Sequence, residues 1–192
     1  MKDLIKKELN KFNFESSLID NFIESVSEGL NQNGIEIWIN TVKSFTNSQT
    51  SRIIIKNIIE ETPAILRSIP QSQYLEWVKQ CYRISEVSED LSITYVNATT
   101  GVIENLKPRH LLDWGNIGLS LYRSSKNSTS LVNNFFKYSP SLCLKLNYEE
   151  LEILNDTLKR ISTRSISFSI KILDWVLKIS SIAPSDLTSW NR

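Results

Sequence analysis

Residues 74–84 read YLEWVKQCYRI, and residues 111–121 read LLDWGNIGLSL. Each stretch holds a tryptophan, with apolar or small residues three positions before it and four and seven positions after it. This spacing is typical of one face of an α-helix. Because the two tryptophans stand 37 positions apart (114 − 77), they indicate one helix that recurs along the chain.

The tryptophans belong to a column that runs through the chain in steps of 39, 37, 40 and 36 residues: Trp38, Trp77, Trp114, Leu154 and Trp190. The columns three positions before, four after and seven after are also apolar or small: Ile35, Tyr74, Leu111, Leu151 and Leu187; Val42, Cys81, Gly118 and Leu158; Phe45, Ile84, Leu121 and Ile161. Agreement among several columns at one period predicts a helix, termed helix A, in each repeat.

A second helix, termed helix B, is predicted ahead of each later helix A. Its last column stands eight positions before the tryptophan column: Leu30, Ile69, Leu106, Leu146 and Ile182. The columns 3, 10 and 14 positions before that one hold Leu66, Ile103, Cys143 and Ile179; Ile59, Val96, Phe136 and Ile172; and Ile55, Ser92, Val132 and Phe168. Pro63 and Pro140 fall inside helix B, so we expect a kink or a separate last turn there. Gly101 is the expected weak point of the middle repeat.

Polar residues mark the predicted helix ends. Asn33, Ser72, Asn147 and Ser185 stand just ahead of successive helices A, where their side chains can accept hydrogen bonds from free backbone N–H groups. Pro108 suits the first turn of the third helix A. The connections from helix A to helix B are predicted as polar loops at residues 46–50, 85–90, 124–130 and 162–164.

A pair of amphipathic helices cannot bury its apolar face alone, whereas stacked pairs bury it together. The sequence therefore predicts an all-α fold, an α-solenoid of two-helix repeats of about 36–40 residues in a HEAT- or TPR-like superhelix. The predicted single domain spans residues 1–192, with an N-terminal cap at 1–32, repeats at 33–71, 72–108, 109–146 and 147–184, and the start of a truncated repeat at 185–192. That last segment suggests a fragment of a longer array.

Composition argues against several classes of protein. The net charge of the 192 residues is +1, and the 22 Lys and Arg residues are scattered, which favours neither a nucleic-acid nor a membrane partner. Five glycines and five prolines are few for the turns of an all-β chain. The two distant cysteines do not suggest a disulfide scaffold. The most apolar run, residues 53–59, is too short to span a bilayer, and without a signal-peptide pattern the chain is predicted to be cytoplasmic.

The residues with catalytic potential are better explained as structural. His110, the only histidine, occupies a polar column in the first turn of a helix A, so we expect it to be solvated rather than a base or ligand. Cys81 and Cys143 occupy core columns, where free cysteine behaves as a small apolar residue. The carboxylate pairs Glu60-Glu61 and Glu149-Glu150 are predicted at helix ends, with neighbours pointing apart. We therefore predict no catalytic, metal-binding or cofactor-binding residues, no cofactor and no enzymatic activity.

Two further residue types have alternative explanations. Gly118 lies in a core column and, near Gly115, is predicted to permit close helix packing. Tryptophans can serve as stacking platforms for nucleic-acid bases, but the periodicity of the column favours a place in the core. Trp175 stands outside the column and is expected to be partly exposed.

Two segments resemble a known helical repeat. Residues 134–142, NFFKYSPSL, resemble its FF-x-x-SP-x-L helix end, and residues 111–119, LLDWGNIGL, resemble its L-x-x-W-x-x-x-G-L helix. Such repeats precede the von Willebrand A domain in proteins that activate nitric oxide reductase or Rubisco together with MoxR-type AAA+ ATPases. The resemblance covers residues 34–192 and implies a helical arm with an AAA+ ATPase as its protein partner. The von Willebrand A metal motif, D-x-S-x-S, is not present in the sequence.

Two functions from different classes follow. The first is a non-enzymatic scaffold for protein–protein interaction, because solenoids present extended surfaces and the sequence holds no catalytic motif. The alternative is a nucleic-acid-binding helical-repeat protein, which requires Lys and Arg residues concentrated on one face. A third hypothesis, a structural linker within a longer chain, is allowed by the unfinished last repeat.

Overall fold

A computed structural model of the chain describes residues 2–45 and 48–179. These residues form α-helices, with a 3₁₀ turn at Pro108–His110, and contain no strand. The helices are α1 Lys2–Asn10, α2 Ser16–Gly29, α3 Gln32–Ser44, α4 Gln49–Ser68, α5 Gln71–Val87, α6 Glu89–Ile103, α7 Leu111–Ser124, α8 Thr129–Cys143, α9 Tyr148–Ser162 and α10 Ile166–Ile179. Within the described ranges, no helix is both long and apolar enough to cross a membrane.

The helices form two layers. The even-numbered helices pack in the order α2, α4, α6, α8 and α10, and the odd-numbered helices pack in the order α3, α5, α7 and α9. Contacts between α5 and α6, between α7 and α8, and between α9 and α10 join the layers. The first helix, α1, packs on α2 and α3. The chain is thus an all-α protein with the serial packing of an α-solenoid, as the sequence predicted, with helix A in the odd layer and helix B in the even layer.

The hydrophobic core lies between the two layers. Trp38, Trp77 and Trp114 are fully buried, and Leu154 takes their place in α9. The column three residues earlier is buried throughout its described members: Ile35, Tyr74, Leu111 and Leu151. The tryptophan column is therefore confirmed as a core column over the described repeats, while Ile182, Leu187 and Trp190 lie outside the described residues.

The even-numbered helices pack extensively against one another from α2 to α8. Gly101 of α6 shows how close: a Cβ atom there would lie 2.9 Å from Cβ of Pro140 on α8. The residue expected to be a weak point of α6 is therefore a contact point with the next helix, and α6 continues through it to Ile103.

Both proline-containing helices are continuous, so the prediction of a separate last turn was wrong. α4 runs through Pro63 and α8 runs through Pro140. Each proline removes one helical N–H donor. However, Ile65 and Leu142, which follow the two prolines, are fully buried, and their burial holds the last turn in place.

Several helix ends differ from the prediction. Asn31, not Asn33, caps α3, with its Oδ1 accepting a hydrogen bond from the Gly34 N–H at 2.8 Å. α5 begins at Gln71, directly after Pro70, so Ser72 lies inside the helix. Pro70 occupies the cap position in an extended conformation, and no side chain caps this helix.

The next predictions concern one loop and two helix caps. The loop expected at residues 85–90 is a single residue, Ser88, whose hydroxyl caps α6. Asn147 is confirmed as the cap of α9. Ser185 lies outside the described residues.

The predicted register of α10 is wrong by one residue. Phe168 and Ile179 are exposed and Ile172 is only half-buried, whereas Ser169 and Leu173 are buried. Counting back from the next repeat displaced the column. In α10 the buried residues Ser169 and Leu173 stand four and eight positions after Ser165, the residue that precedes the helix. In α8 the buried residues Val132 and Phe136 stand four and eight positions after Ser128, the residue that precedes that helix.

Candidate interaction surfaces

Both cysteine thiols are buried in the hydrophobic core. Cys81 is fully buried and Cys143 is almost so, as their columns predicted. Burial raises the pKa of the Cys81 thiol well above its ordinary value and raises the pKa of Cys143 to about 12. Both side chains are therefore neutral at physiological pH and poor nucleophiles.

His110 is more enclosed than predicted. Its side chain is only 14% exposed, because the ring stacks on Tyr148 of the next repeat with centroids 4.1 Å apart. Its Nδ1 atom lies 3.6 Å from the Asp113 carboxylate. The sequence could not reveal this contact, since the stacking partner comes from the start of α9, one repeat later.

The two carboxylate pairs lie in different places. Glu60 and Glu61 lie inside α4, not at its end as predicted. Lys56 Nζ approaches Glu60 Oε1 to 3.5 Å, and Glu61 accepts a hydrogen bond from the Thr100 hydroxyl of α6. Glu149-Glu150 is confirmed at a helix start, where Glu150 completes a capping box with the backbone N–H of the preceding cap residue.

A column of buried hydroxyl groups in helix B, which the sequence analysis missed, hydrogen-bonds to two of the tryptophans and to Tyr74. The Trp114 indole N–H donates to Ser139 Oγ at 2.8 Å, and the Trp77 indole N–H donates to Thr99 Oγ1 at 3.1 Å. Thr62 occupies the same column of α4, and its hydroxyl hydrogen-bonds to the Tyr74 hydroxyl. The signal in the sequence was a hydroxyl residue seven positions before the last helix B column, three times in succession.

Removing one of these hydroxyl groups should destabilise the fold. We expect Ser139→Ala to lower the free energy of unfolding by about 1–3 kcal/mol, because the Trp114 indole N–H is left in the core without an acceptor. Ser141→Ala on the exposed side of the same helix is the matched control, with an expected change below about 0.5 kcal/mol. Urea unfolding followed by circular dichroism measures both. Equal effects of the two substitutions would contradict the role assigned to the buried hydroxyl.

The outer surface of the even layer carries a polar ladder. Asn57 of α4 donates to Asn97 of α6 at 2.7 Å, and Thr94 of α6 donates to Asn133 of α8. The partners in each pair stand 40 and 39 residues apart, close to the repeat interval. Side chains about one repeat apart therefore lie side by side where α6 meets α4 and α8.

A groove of about 600 Å³ opens on the odd layer between α7 and α9. It is lined by the carboxylates of Asp113, Glu149, Glu152 and Asp156, and by a single ammonium group, that of Lys159. Lys159 Nζ lies 3.4 Å from Asp156 Oδ1. The lining is therefore strongly acidic in a chain whose net charge is close to zero.

Asn155 forms part of the groove and is only 4% exposed. Its Oδ1 atom is buried and has no hydrogen-bond partner among the described residues. A buried acceptor without a partner costs about 1–3 kcal/mol in general. The equivalent positions of the three preceding helices A are apolar or glycine: Ile39, Val78 and Gly115. Polar burial at this column is thus particular to α9.

The neighbouring interface between α5 and α7 shows how such a groove can be filled from within the chain. Gln80 of α5 is buried there and donates to Leu112 O and Asn116 Oδ1, both at 3.0 Å. Gly115 makes the space, because a Cβ atom there would lie 2.5 Å from the Gln80 side chain. In the groove between α7 and α9 the residue equivalent to Gln80 is Ile117, whose apolar side chain offers no hydrogen bond to the polar lining.

The carboxylates of this groove contribute to a raised pKa of Tyr148. Its hydroxyl donates to Glu152 Oε1 at 3.0 Å. Burial and this hydrogen bond, together with the charges of Asp113, Glu152 and Glu149, raise the pKa of Tyr148. Burial is the largest cause of this rise, and the nearby carboxylates add to it.

The outer face of α10 is apolar. Phe168, Trp175 and Ile179 are exposed along it, and Trp175 is 67% exposed, which confirms the expectation for this residue. These residues stand seven and four positions apart and so share one helix face. α8 packs against α10 through other residues, including the buried Leu173.

The described residues contain no cluster of three or more His, Cys, Asp or Glu side chains that could hold a metal ion. Comparisons with protein-family models, curated proteins and solved structures found no match.

Proposed function

We propose that this protein is a non-enzymatic scaffold for protein–protein interaction. The observation that carries the proposal is the register of the stack: side chains about one repeat apart, such as Asn57 and Asn97 or His110 and Tyr148, lie in direct contact. A surface built this way extends over several repeats and suits a partner with an extended surface of its own. Solenoids bind through such faces rather than through one deep pocket.

The placement of the reactive groups supports the same proposal. Both thiols are buried in apolar surroundings, and the ring of the single histidine is stacked on Tyr148. Nucleophilic and acid–base catalysis requires such groups to meet a substrate at hydrogen-bond distance. The open surfaces present amides, hydroxyls and carboxylates, which can form hydrogen bonds and ion pairs with a partner protein.

The resemblance of residues 111–119 and 134–142 to the repeats of AAA+ partner proteins supplies a candidate partner. By analogy with those repeats, we propose a MoxR-type AAA+ ATPase as the partner of the scaffold. The competing hypothesis is a nucleic-acid-binding repeat protein, and the two differ in how binding responds to salt.

A salt titration separates the two functions. We expect the full chain to bind a purified MoxR-type ATPase from the same cell with a loss of about tenfold or less between about 0.05 and 0.2 M salt. A nucleic-acid complex with 6–10 phosphate contacts would lose on the order of 10³–10⁵ in affinity over that range. Fluorescence anisotropy with the ATPase and with single- and double-stranded oligonucleotides measures both. Tight oligonucleotide binding with a steep salt slope would overturn the scaffold proposal.

A further inference from the structure

We infer that the groove between α7 and α9 is a docking site for a basic segment of a partner protein, with Lys or Arg side chains interspersed with apolar ones. The inference rests on the proposed scaffold function, because it names the partner chemistry that one surface of the scaffold takes. Two independent observations carry it: the charge of the groove and the buried, unpartnered acceptor within it.

The charge of the groove selects a cationic ligand. Asp113 and Glu149 lie among its lining residues, together with Glu152 and Asp156, against the single ammonium group of Lys159. A complementary positive segment would be steered to the groove and held there.

Asn155 selects a hydrogen-bond donor. Its side chain lines the groove, is almost completely buried, and leaves Oδ1 without a partner. A carbonyl oxygen accepts and cannot donate, so the group that completes it must carry N–H or O–H. Lys and Arg side chains carry only donors and also satisfy the surrounding carboxylates.

An apolar contact distinguishes a peptide from a small cation. Ile153 projects from α9 beside the carboxylates and is 66% exposed, and Ile117 of α7 lies buried in the same groove. A segment that alternates basic and apolar side chains would cover Ile153 while its charged groups reach the acidic lining. The absence of a metal-binding cluster among the described residues fits an organic ligand better than a metal ion.

The test uses a fluorescein-labelled peptide, Ser-Arg-Leu-Lys-Arg-Leu-Arg-Ser, and a neutral counterpart in which Gln replaces every Arg and Lys. Anisotropy with the full chain should show saturable binding of the basic peptide and binding of the neutral one at least about tenfold weaker. The triple variant Asp113→Asn, Glu152→Gln, Asp156→Asn should weaken binding of the basic peptide by about tenfold or more. The matched control, Glu24→Gln, Glu28→Gln, Glu36→Gln, makes the same change of net charge on α2 and α3 and should leave binding within about twofold.

Asn155→Leu supplies a second variant that keeps all the charges. It should leave the chain folded, as judged by circular dichroism, and weaken binding of the basic peptide by about tenfold, because a hydrogen bond to a charged donor is lost.

Equal loss of binding in the groove and control triple variants would reveal non-specific charge attraction and overturn the inference. Unchanged binding in both groove variants would overturn it as well. If those variants still bind the ATPase as the unmodified chain does, the groove inference fails while the scaffold proposal stands. If the unmodified chain binds neither peptide nor ATPase, both fail.

Discussion

Trp114→Ala is expected to lower the free energy of unfolding by about 3–5 kcal/mol, the usual cost of deleting a buried large aromatic side chain. The indole joins three helices: it lies in α7, stacks on Tyr95 of α6 with centroids 4.7 Å apart, and meets Phe136 of α8 edge-on at 5.2 Å. Its N–H also donates to Ser139. Truncation therefore opens a cavity at the centre of the middle repeat, where the even-numbered helices already pack closely and cannot collapse further.

Trp175→Ala is the matched control for this prediction. The same residue type is removed, but its side chain is 67% exposed on the outer face of α10, so the expected change is below about 0.5 kcal/mol. Both variants are compared by urea unfolding with circular dichroism detection. If Trp114→Ala were as mild as Trp175→Ala, the assignment of the tryptophan column to the core would be wrong.

The sequence predicted the core well because burial imposes a period on it. Each helix A must bury one face against its own helix B and its neighbours, so Trp38, Trp77 and Trp114 recur at the repeat interval. The same logic located Cys81 in the core. The core columns can be recognised in the sequence because a polar side chain buried there without a hydrogen bond would lower the free energy of unfolding, which keeps these positions apolar.

Helix ends and register were harder to predict. Pro63 and Pro140 are strong local signals against a helix, but the buried residues that follow them keep α4 and α8 continuous. In α10 the pattern pointed to the wrong face of the helix, since Phe168 and Ile172 are both apolar whereas the buried residues are Ser169 and Leu173. Periodicity alone does not tell which face of a terminal helix is covered.

The groove could not be predicted, because it depends on the separation of α7 and α9 and not on any motif. One signal was present: Asn155 stands in a column whose three preceding members are Ile39, Val78 and Gly115. A polar residue in an apolar column indicates either an internal hydrogen bond or an external ligand. Only the structure, in which its Oδ1 has no partner within the described chain, separates the two.

Gly118→Ala is expected to destabilise the protein by about 1–3 kcal/mol or more, although alanine is intrinsically the better helix former. A Cβ atom at this position of α7 would overlap the end of the Phe136 ring on α8. That ring is fully buried and is held by Tyr95 and Trp114, so it has no space into which it can move. The two helices must then separate, and contacts at the centre of the stack are lost.

A double-mutant cycle tests the stated cause. Phe136→Leu alone should cost stability because it removes buried ring atoms. However, Gly118→Ala combined with Phe136→Leu should be less destabilised than the sum of the single variants by at least about 1 kcal/mol, since the leucine frees the space that the new methyl group needs. Gly29→Ala is the control, because there the tightest contact of the added methyl, 2.9 Å, is with a terminal methyl group of Leu66, which can move, and the expected change is below about 1 kcal/mol. Additive effects in the cycle, measured by urea unfolding, would show that close approach to Phe136 is not the reason for glycine at position 118.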